Sequence, residues 1–285
     1  MKLDKALKLK KELDLWYKKI NTVEFIQNDP VKFPHRFFDE GALPEDVEIA
    51  AFLTATIAWG RRDLILKSAE RMFALLGGSP REFIMRGNFR KLSVFQNLVG
   101  FARPHNNRRC IHRTFFEDDL LYFCRGFKRC YDTFGSLENL FASALKKSAG
   151  IIRDSPPSLW DGIALFRETV ARANGGKYIK HLADPASASA CKRLHLALRW
   201  LVRKEGPVDL GLWKRVSPLE LFIPLDLHVG RTARRLGLLD PARKANDKKA
   251  VISLTEKLRA LCPEDPVKYD LALFGMGVTL DNPCV

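Results

Sequence analysis

Between Ile49 and Trp59 the chain reads IAAFLTATIAW, a run without a charge that follows Pro44, Glu45 and Asp46 and stops at Gly60. Proline and acids suit the first turn of a helix, and glycine suits its end. A helix that is apolar around most of its circumference needs neighbours on most sides, so this segment predicts a core helix wrapped by others. The rest of the sequence supplies them. Leu3–Ile20 repeats leucine at helical spacing, and Asp63–Leu76 ends on Gly77 and Gly78. DDLLYFCRGFKRCYDTFGSLENLFASALKK reads as helix, glycine turn, helix, and SPPSLWDGIALFRETVARANGG as one more helix with proline and glycine at its two ends. No strand of period two and no repeat stands out, so the expected class is all-α. The segment NDPVKFPHRFFDEGALPED, with three prolines, predicts an ordered irregular stretch packed on the core.

At 285 residues the chain can form one large or two modest domains. The expected layout is a helical barrel over 47–200 and a second helical lobe built from 1–46 and 201–285. Forty-eight Lys and Arg against 33 Asp and Glu leave a formal charge of +15, more than solubility asks for, which points to a polyanionic partner. The longest apolar runs fall short of a membrane span, and MKLDKALKLKKELDLWYKKI reads as a charged amphipathic helix rather than a signal peptide. The expectation is a cytoplasmic protein without a membrane partner. Six cysteines are scattered without a CxxC pair, which fits reduced thiols. His105, Cys110 and His112 do not follow a metal-ligand spacing, and the sequence calls for no metal and no cofactor.

Chemistry is expected in Ser187–Arg235. Lys192 opens one amphipathic segment, CKRLHLALRW, and Asp226 opens another, IPLDLHVGRTARRLGL. Pro224 keeps Ile223 out of the helical region, and Asp226 can cap the helix that follows. Two facing helix N-termini would then bring an amine and a carboxylate side by side, in the cleft between the two lobes.

PLDLHVGRTARRLGL resembles the Val-Asp-x-His-x-x-Arg motif of the helix-hairpin-helix DNA glycosylases, matching it at Asp226, His228 and Arg231. The resemblance continues through KKAVISLTEKLRALCP into DPVKYDLALFGMGV, which looks like the final helix of that superfamily. Upstream, members carry a Gly-rich hairpin before the catalytic lysine. Here ADPASASACK has Ala188 and Ala190 where glycines stand in the family, and CKRLHLALRW is closest to the archaeal 8-oxoguanine branch, whose hairpin is degenerate, with Lys192 at the lysine and Arg199 one heptad on. The phrases ACKRL, LRWLVR, IPLD and DPVKYD also look like a family of uncharacterised bacterial proteins.

The resemblance implies a two-lobed, all-α glycosylase-type fold with a degenerate hairpin, and a base-excision glycosylase or glycosylase-lyase acting on damaged duplex DNA, with RNA as another possible partner. Lys192 would attack the anomeric carbon and Asp226 would stabilise the cationic sugar. The target base would be rotated out of the stack. In the family the core helix ends in a glutamine that fills the gap left by that base. Thr56 stands there, too short for the task, and Trp59 or Arg61 could replace it. Trp200 and Trp213 are candidates for stacking on the base, with His228 at the pocket.

Arginines complete the expected interface. FARPHNNRRCIHR carries Arg103, Arg108, Arg109 and Arg113 without an acid, and forked guanidinium donors suit phosphates. Arg61, Arg62, Arg193, Arg231 and Arg234 are the remaining candidates. Each assignment has a plainer alternative. The loop arginines can pair with Glu117, Asp118 and Asp119; Lys192 can be an exposed lysine beside Arg193; Asp226 can be a cap and nothing more; His228 can be a packing residue. Tyr178, Lys180 and His181 either line the mouth of the site or serve as surface and cap residues. A DNA- or RNA-binding protein that keeps the fold without catalysis is therefore the second reading.

Overall fold

The structure is a computed structural model and describes residues 3–87, 89, 109–146 and 158–281. It is all-α, with a two-stranded hairpin among the described residues. The helices are α1 (Leu3–Ile20), α2 (Val23–Gln27), α3 (Lys32–Asp39), α4 (Pro44–Thr56), α5 (Arg62–Leu76), α6 (Pro80–Arg86), α7 (Glu117–Phe134), α8 (Leu137–Leu145), α9 (Leu159–Arg172), α10 (Lys192–Val202), α11 (Leu227–Arg235), α12 (Lys248–Arg259) and α13 (Asp270–Asp281). The hairpin pairs β1 (Cys110–His112) with β2 (Phe115–Phe116), antiparallel. Residues 28–183 form one compact unit, and Met1–Gln27 with Asp184–Val285 form another. The divisions expected from the sequence fall at 46/47 and 200/201.

In the unit over 28–183, α4 is buried from Asp46 to Thr56. Phe52 on α4 meets Phe127 of α7, Phe141 of α8 and Phe166 of α9, with ring centroids 6.4, 5.8 and 5.1 Å away. The helix also buries two acids, which burial alone would make costly. Both are spent on other helix ends. Asp46 accepts from the Arg81 amide at 2.7 Å at the start of α6, and Glu48 accepts from the Leu137 and Glu138 amides, each at 3.0 Å, at the start of α8. A carboxylate at a helix N-terminus meets orphan N–H groups and the positive end of the dipole.

Two expectations need correction here. The proline-rich stretch is helical over Lys32–Asp39, because Pro34 falls in the first turn, where a missing N–H breaks no helical bond. Cys110–Phe116 forms a hairpin rather than an irregular loop; it is too short for a period-two pattern to register.

In the discontinuous unit, α1 packs on α13 through Leu9, Leu13 and Tyr17, buried at a spacing of four. The approach is close: a Cβ on Gly275 would lie 2.3 Å from Cγ1 of Ile20. An ion cluster sits under this layer. Arg203, 1% exposed, donates from Nε to Asp265 at 2.9 and 3.0 Å, from Nη2 to the Tyr17 hydroxyl at 3.2 Å, and from Nη1 to Asp209.

Candidate active site

Lys192 and Asp226 lie in the same compact unit, the discontinuous one. Asp226 is the N-cap of α11: its Oδ1 accepts from the Val229 amide at 2.8 Å, and its carbonyl accepts from Gly230 N at 2.9 Å. Lys192 is the first residue of α10, and Cys191 before it takes the left-handed conformation at φ 45°. A non-glycine residue there is uncommon and strained.

The approach to Lys192 contains no glycine, and side chains shape the turn instead. Asp184 Oδ1 accepts from Ala186 N at 2.9 Å, Ser187 Oγ accepts from Ser189 N at 3.1 Å, and Ser189 Oγ accepts from Cys191 N at 3.2 Å. Such local bonds let Asp and Ser impose turns that glycine would otherwise permit.

One short segment ties both loops together. Asn246 donates from Nδ2 to the carbonyl of Asp226 at 2.8 Å. Two residues on, the Lys248 amide donates to Ala188 O at 2.9 Å and its Nζ to Pro185 O at 2.8 Å. The cap of α11 and the turn before Lys192 are therefore braced from one short stretch at the start of α12, the first by Asn246 and the second by Lys248. Asp247, between them, caps α12 by accepting from Ala250 N at 3.0 Å.

Lys192, His195 and Arg199 share one face of α10, three and seven residues apart. His195 lies 5.7 Å from the Phe222 ring, four residues before Asp226. Burial, with the charge of Lys248 adding to it, pushes the His195 imidazole down to about 3, so it is neutral. Arg199 donates to Asp209 Oδ1 at 3.1 Å and to Asp270. Arg193 is half-buried, and desolvation lowers its guanidinium from the ordinary value.

The remaining candidates separate by surroundings. Trp200 and Trp213 are core residues, 1% and 3% exposed, with little ring surface left to offer a base. His228 packs on α13: its ring meets Phe274 edge-on at 6.0 Å, and its Cβ would be 3.0 Å from a Cβ on Gly277. Arg234 donates to the carbonyls of Arg243 and Ala245 at 2.7 and 2.9 Å and so holds the turn before α12. Arg231 is exposed.

Within the unit over 28–183, Thr56 is buried and Trp59 is flanked by two histidines, His112 at 4.8 Å and His181 at 5.6 Å. His112 bonds Ser68 Oγ at 3.0 Å and the Trp59 carbonyl at 2.9 Å, and burial lowers its pKa. His181 is buried and bonds Thr114 O at 2.8 Å; Tyr178, half exposed, donates to Glu168 at 2.6 Å. Arg61 is held by Asp63 at 2.8 and 3.1 Å, and Arg62 lies 3.9 Å from Asp29. Arg109 pairs with Glu117 at 3.6 Å, as the plainer alternative had it. Arg113 is exposed at φ 52°, with its guanidinium against Gly60. Arg103, Arg108 and His105 lie outside the described residues.

Sequence reasoning did not single out Asn246, Lys248, Asp209 or Asp270. Only the phrase DPVKYD, which ends on Asp270, and the heptad from Lys192 to Arg199 hinted at them.

These features define a class: an all-α protein in which two helix N-termini, one bearing a lysine and one an aspartate, are braced by a common turn. The chain belongs to the family described as protein of unknown function (DUF2400), which it matches over residues 29–279. No curated protein and no solved structure matches it. Among the described residues no helix is long and apolar enough to cross a membrane.

Proposed function

We propose that the protein is a base-excision glycosylase or glycosylase-lyase of the helix-hairpin-helix type, acting on damaged DNA through Lys192 and Asp226. The observation that carries the reading is the brace. Asn246 bonds the carbonyl of Asp226 and Lys248 bonds the turn that precedes Lys192, which ties an amine-bearing and a carboxylate-bearing helix start to one short stretch of chain. In this reading Nζ of Lys192 attacks C1′ of the sugar as the base leaves with the bonding electrons and gains a proton. The amine then loses its protons as the C1′–O4′ bond breaks and O4′ takes up a proton, which opens the sugar ring and leaves an imine at C1′, and the Asp226 carboxylate offsets the positive charge that develops on the sugar. The formal charge of +15 supplies the attraction to a polyanion.

Trapping with borohydride tests this directly. The full-length protein is incubated with duplexes carrying 8-oxoguanine, uracil or an abasic site, and reduction of an imine leaves a covalent adduct. The expected result is an adduct on at least one lesion that is lost in Lys192→Ala. Tight, salt-sensitive binding with neither adduct nor base release across the panel would replace the enzyme with a nucleic-acid-binding protein.

A further inference from the structure

The outer side of α1 has no part in the reading above. Leu9, Leu13 and Tyr17 are buried where the helix packs on α13, and Lys5, Lys8, Lys11, Lys18 and Lys19 are exposed. At about 100° per residue these lysines fall within an arc of about 140° on the side away from the buried stripe, and Lys5 and Lys19 stand about 21 Å apart along the axis.

The charges of α1 are sorted by side. Asp14 is drawn to the packed side: its carboxylate accepts from the Tyr269 hydroxyl at 2.9 Å and lies 3.6 Å from Lys268 and 3.9 Å from Lys10. Lys268 also reaches Glu205 at 3.5 Å. On the outer side only Asp4 and Glu12 stand against the lysines of the arc, and among the described residues none of those lysines makes an ion pair. Like charges three residues apart, as at Lys5, Lys8 and Lys11, repel one another on a helix surface. The fold leaves this excess of positive charge uncompensated, and a polyanion compensates it.

The chemistry of the face selects among polyanions. A bilayer would need apolar area, but the leucine stripe is committed to α13, which leaves Leu15 within the arc and Leu7 at its edge. Protein interfaces draw on tryptophan, tyrosine and arginine and are poor in lysine, the reverse of this arc. A single strand needs open aromatic faces, and Trp16 beside the arc has Nζ of Lys19 over its ring at 4.7 Å. Ammonium groups spread along a rod act as point charges, which suits the phosphates of a duplex and reads no base.

We infer that the outer face of α1 is a contact surface for the phosphate backbone of duplex DNA, with Lys8, Lys11 and Lys18 at the phosphates, and that it binds without regard to sequence or lesion. The inference takes duplex DNA as partner from the reading above, but it does not depend on the chemistry at Lys192 or Asp226.

Fluorescence anisotropy of the full-length protein with an undamaged, labelled duplex, read over a series of salt concentrations, tests it. The combined variant Lys8→Gln, Lys11→Gln and Lys18→Gln removes the charges and keeps good helix propensity. The expected result is a slope of log affinity against log salt reduced by about 2.7, or about 0.9 for each contact, and an affinity lowered about tenfold or more at about 0.1 M salt. Arginine at the same positions should retain both. Should the combined variant fail to fold, each single Lys→Gln variant gives the same comparison with a slope change of about 0.9. An unchanged slope and affinity, or a wild type that does not bind the duplex, overturns the inference. So does a loss confined to vesicles of phosphatidylserine and phosphatidylcholine, which would assign the face to a membrane surface. Borohydride trapping is read separately. No adduct with the slope change in place removes the enzyme and keeps the surface, and an adduct with an unchanged slope does the reverse.

Discussion

Asn246 holds the carbonyl of Asp226 at 2.8 Å from its side-chain amide, while its own Oδ1 is buried without a donor. The residue thus gives one good bond and carries one unsatisfied acceptor. Asn246→Ala removes both, so its stability cost should fall at the low end for a buried hydrogen bond, about 0.5–1 kcal/mol in urea unfolding. Its effect on chemistry should be larger than that cost implies. Adduct yield in borohydride trapping is expected to drop by about tenfold or more, because the brace that positions the cap is gone. An unchanged yield would show that the brace does not serve the reaction.

The cap and the charge of Asp226 can be separated by substitution. Asp226→Ala removes the acceptor for the Val229 amide and should cost about 0.5–2 kcal/mol, whereas Asp226→Asn keeps a capping oxygen and should cost only a few tenths. Both should abolish adduct formation if the charge does the chemistry. If Asp226→Asn folds normally and retains full activity, Asp226 is a cap and nothing more.

What the sequence disclosed and what it concealed follow from the range of each interaction. The buried run of α4, the cap at Asp226 and the glycine stop after α5 at Gly77 are local patterns within a few residues, and each is legible. The helical character of Lys32–Asp39 is hidden because a proline breaks a helix in its interior and suits its first turn, and three prolines in one stretch do not show which case applies. Arg199, Asp209 and Asp270 sit up to 71 residues apart, and only folding brings them into one buried cluster. Trp200 and Trp213 illustrate the converse error. A tryptophan near a candidate site reads equally well as a stacking ring or as core, and burial decides for core.

Two buried groups oppose each other in their pH dependence. His195 is pushed from its ordinary 6.5 to about 3, so its contribution to stability is complete above pH 6.5 and is lost as pH falls toward 3, on the order of 4–5 kcal/mol in all. Asp270 is pushed from 3.8 to about 6, so its contribution is complete below about pH 4 and is lost as pH rises through 6, on the order of 3 kcal/mol. Between pH 4 and 6 the two slopes nearly cancel. Urea unfolding across this range should therefore change in opposite directions in two variants. Relative to wild type, Asp270→Asn should lose stability more steeply as pH falls, and His195→Leu should gain it. Parallel curves for wild type and both variants would refute the opposed titrations.

Close packing in the unit over 28–183 supplies a control unrelated to the site. A Cβ on Gly126 of α7 would fall 2.5–2.9 Å from the side chain of Val170 on α9, and a β-branched side chain has little freedom to move aside. Gly126→Ala should therefore destabilise by about 1–3 kcal/mol through overpacking, despite the better helix propensity of alanine. Gly126→Ala combined with Val170→Ala should recover part of that loss. No recovery would mean that the contact is not the cause.

Arg109 and Arg113, four residues apart, should respond differently when nucleic acid binding is measured against salt. Arg109 is largely covered and 3.6 Å from Glu117, so Arg109→Ala should act mainly by leaving that carboxylate without its partner and should lower stability. Arg113 is exposed on the hairpin turn with its guanidinium against Gly60, and an alanine there removes the charge together with that one contact. If its guanidinium meets a phosphate, Arg113→Ala should weaken binding uniformly across sequences and reduce the slope of log affinity against log salt by about 1. A weakened affinity with an unchanged slope would assign Arg113 a role other than phosphate contact, and an unchanged affinity would remove the hairpin from the interface altogether.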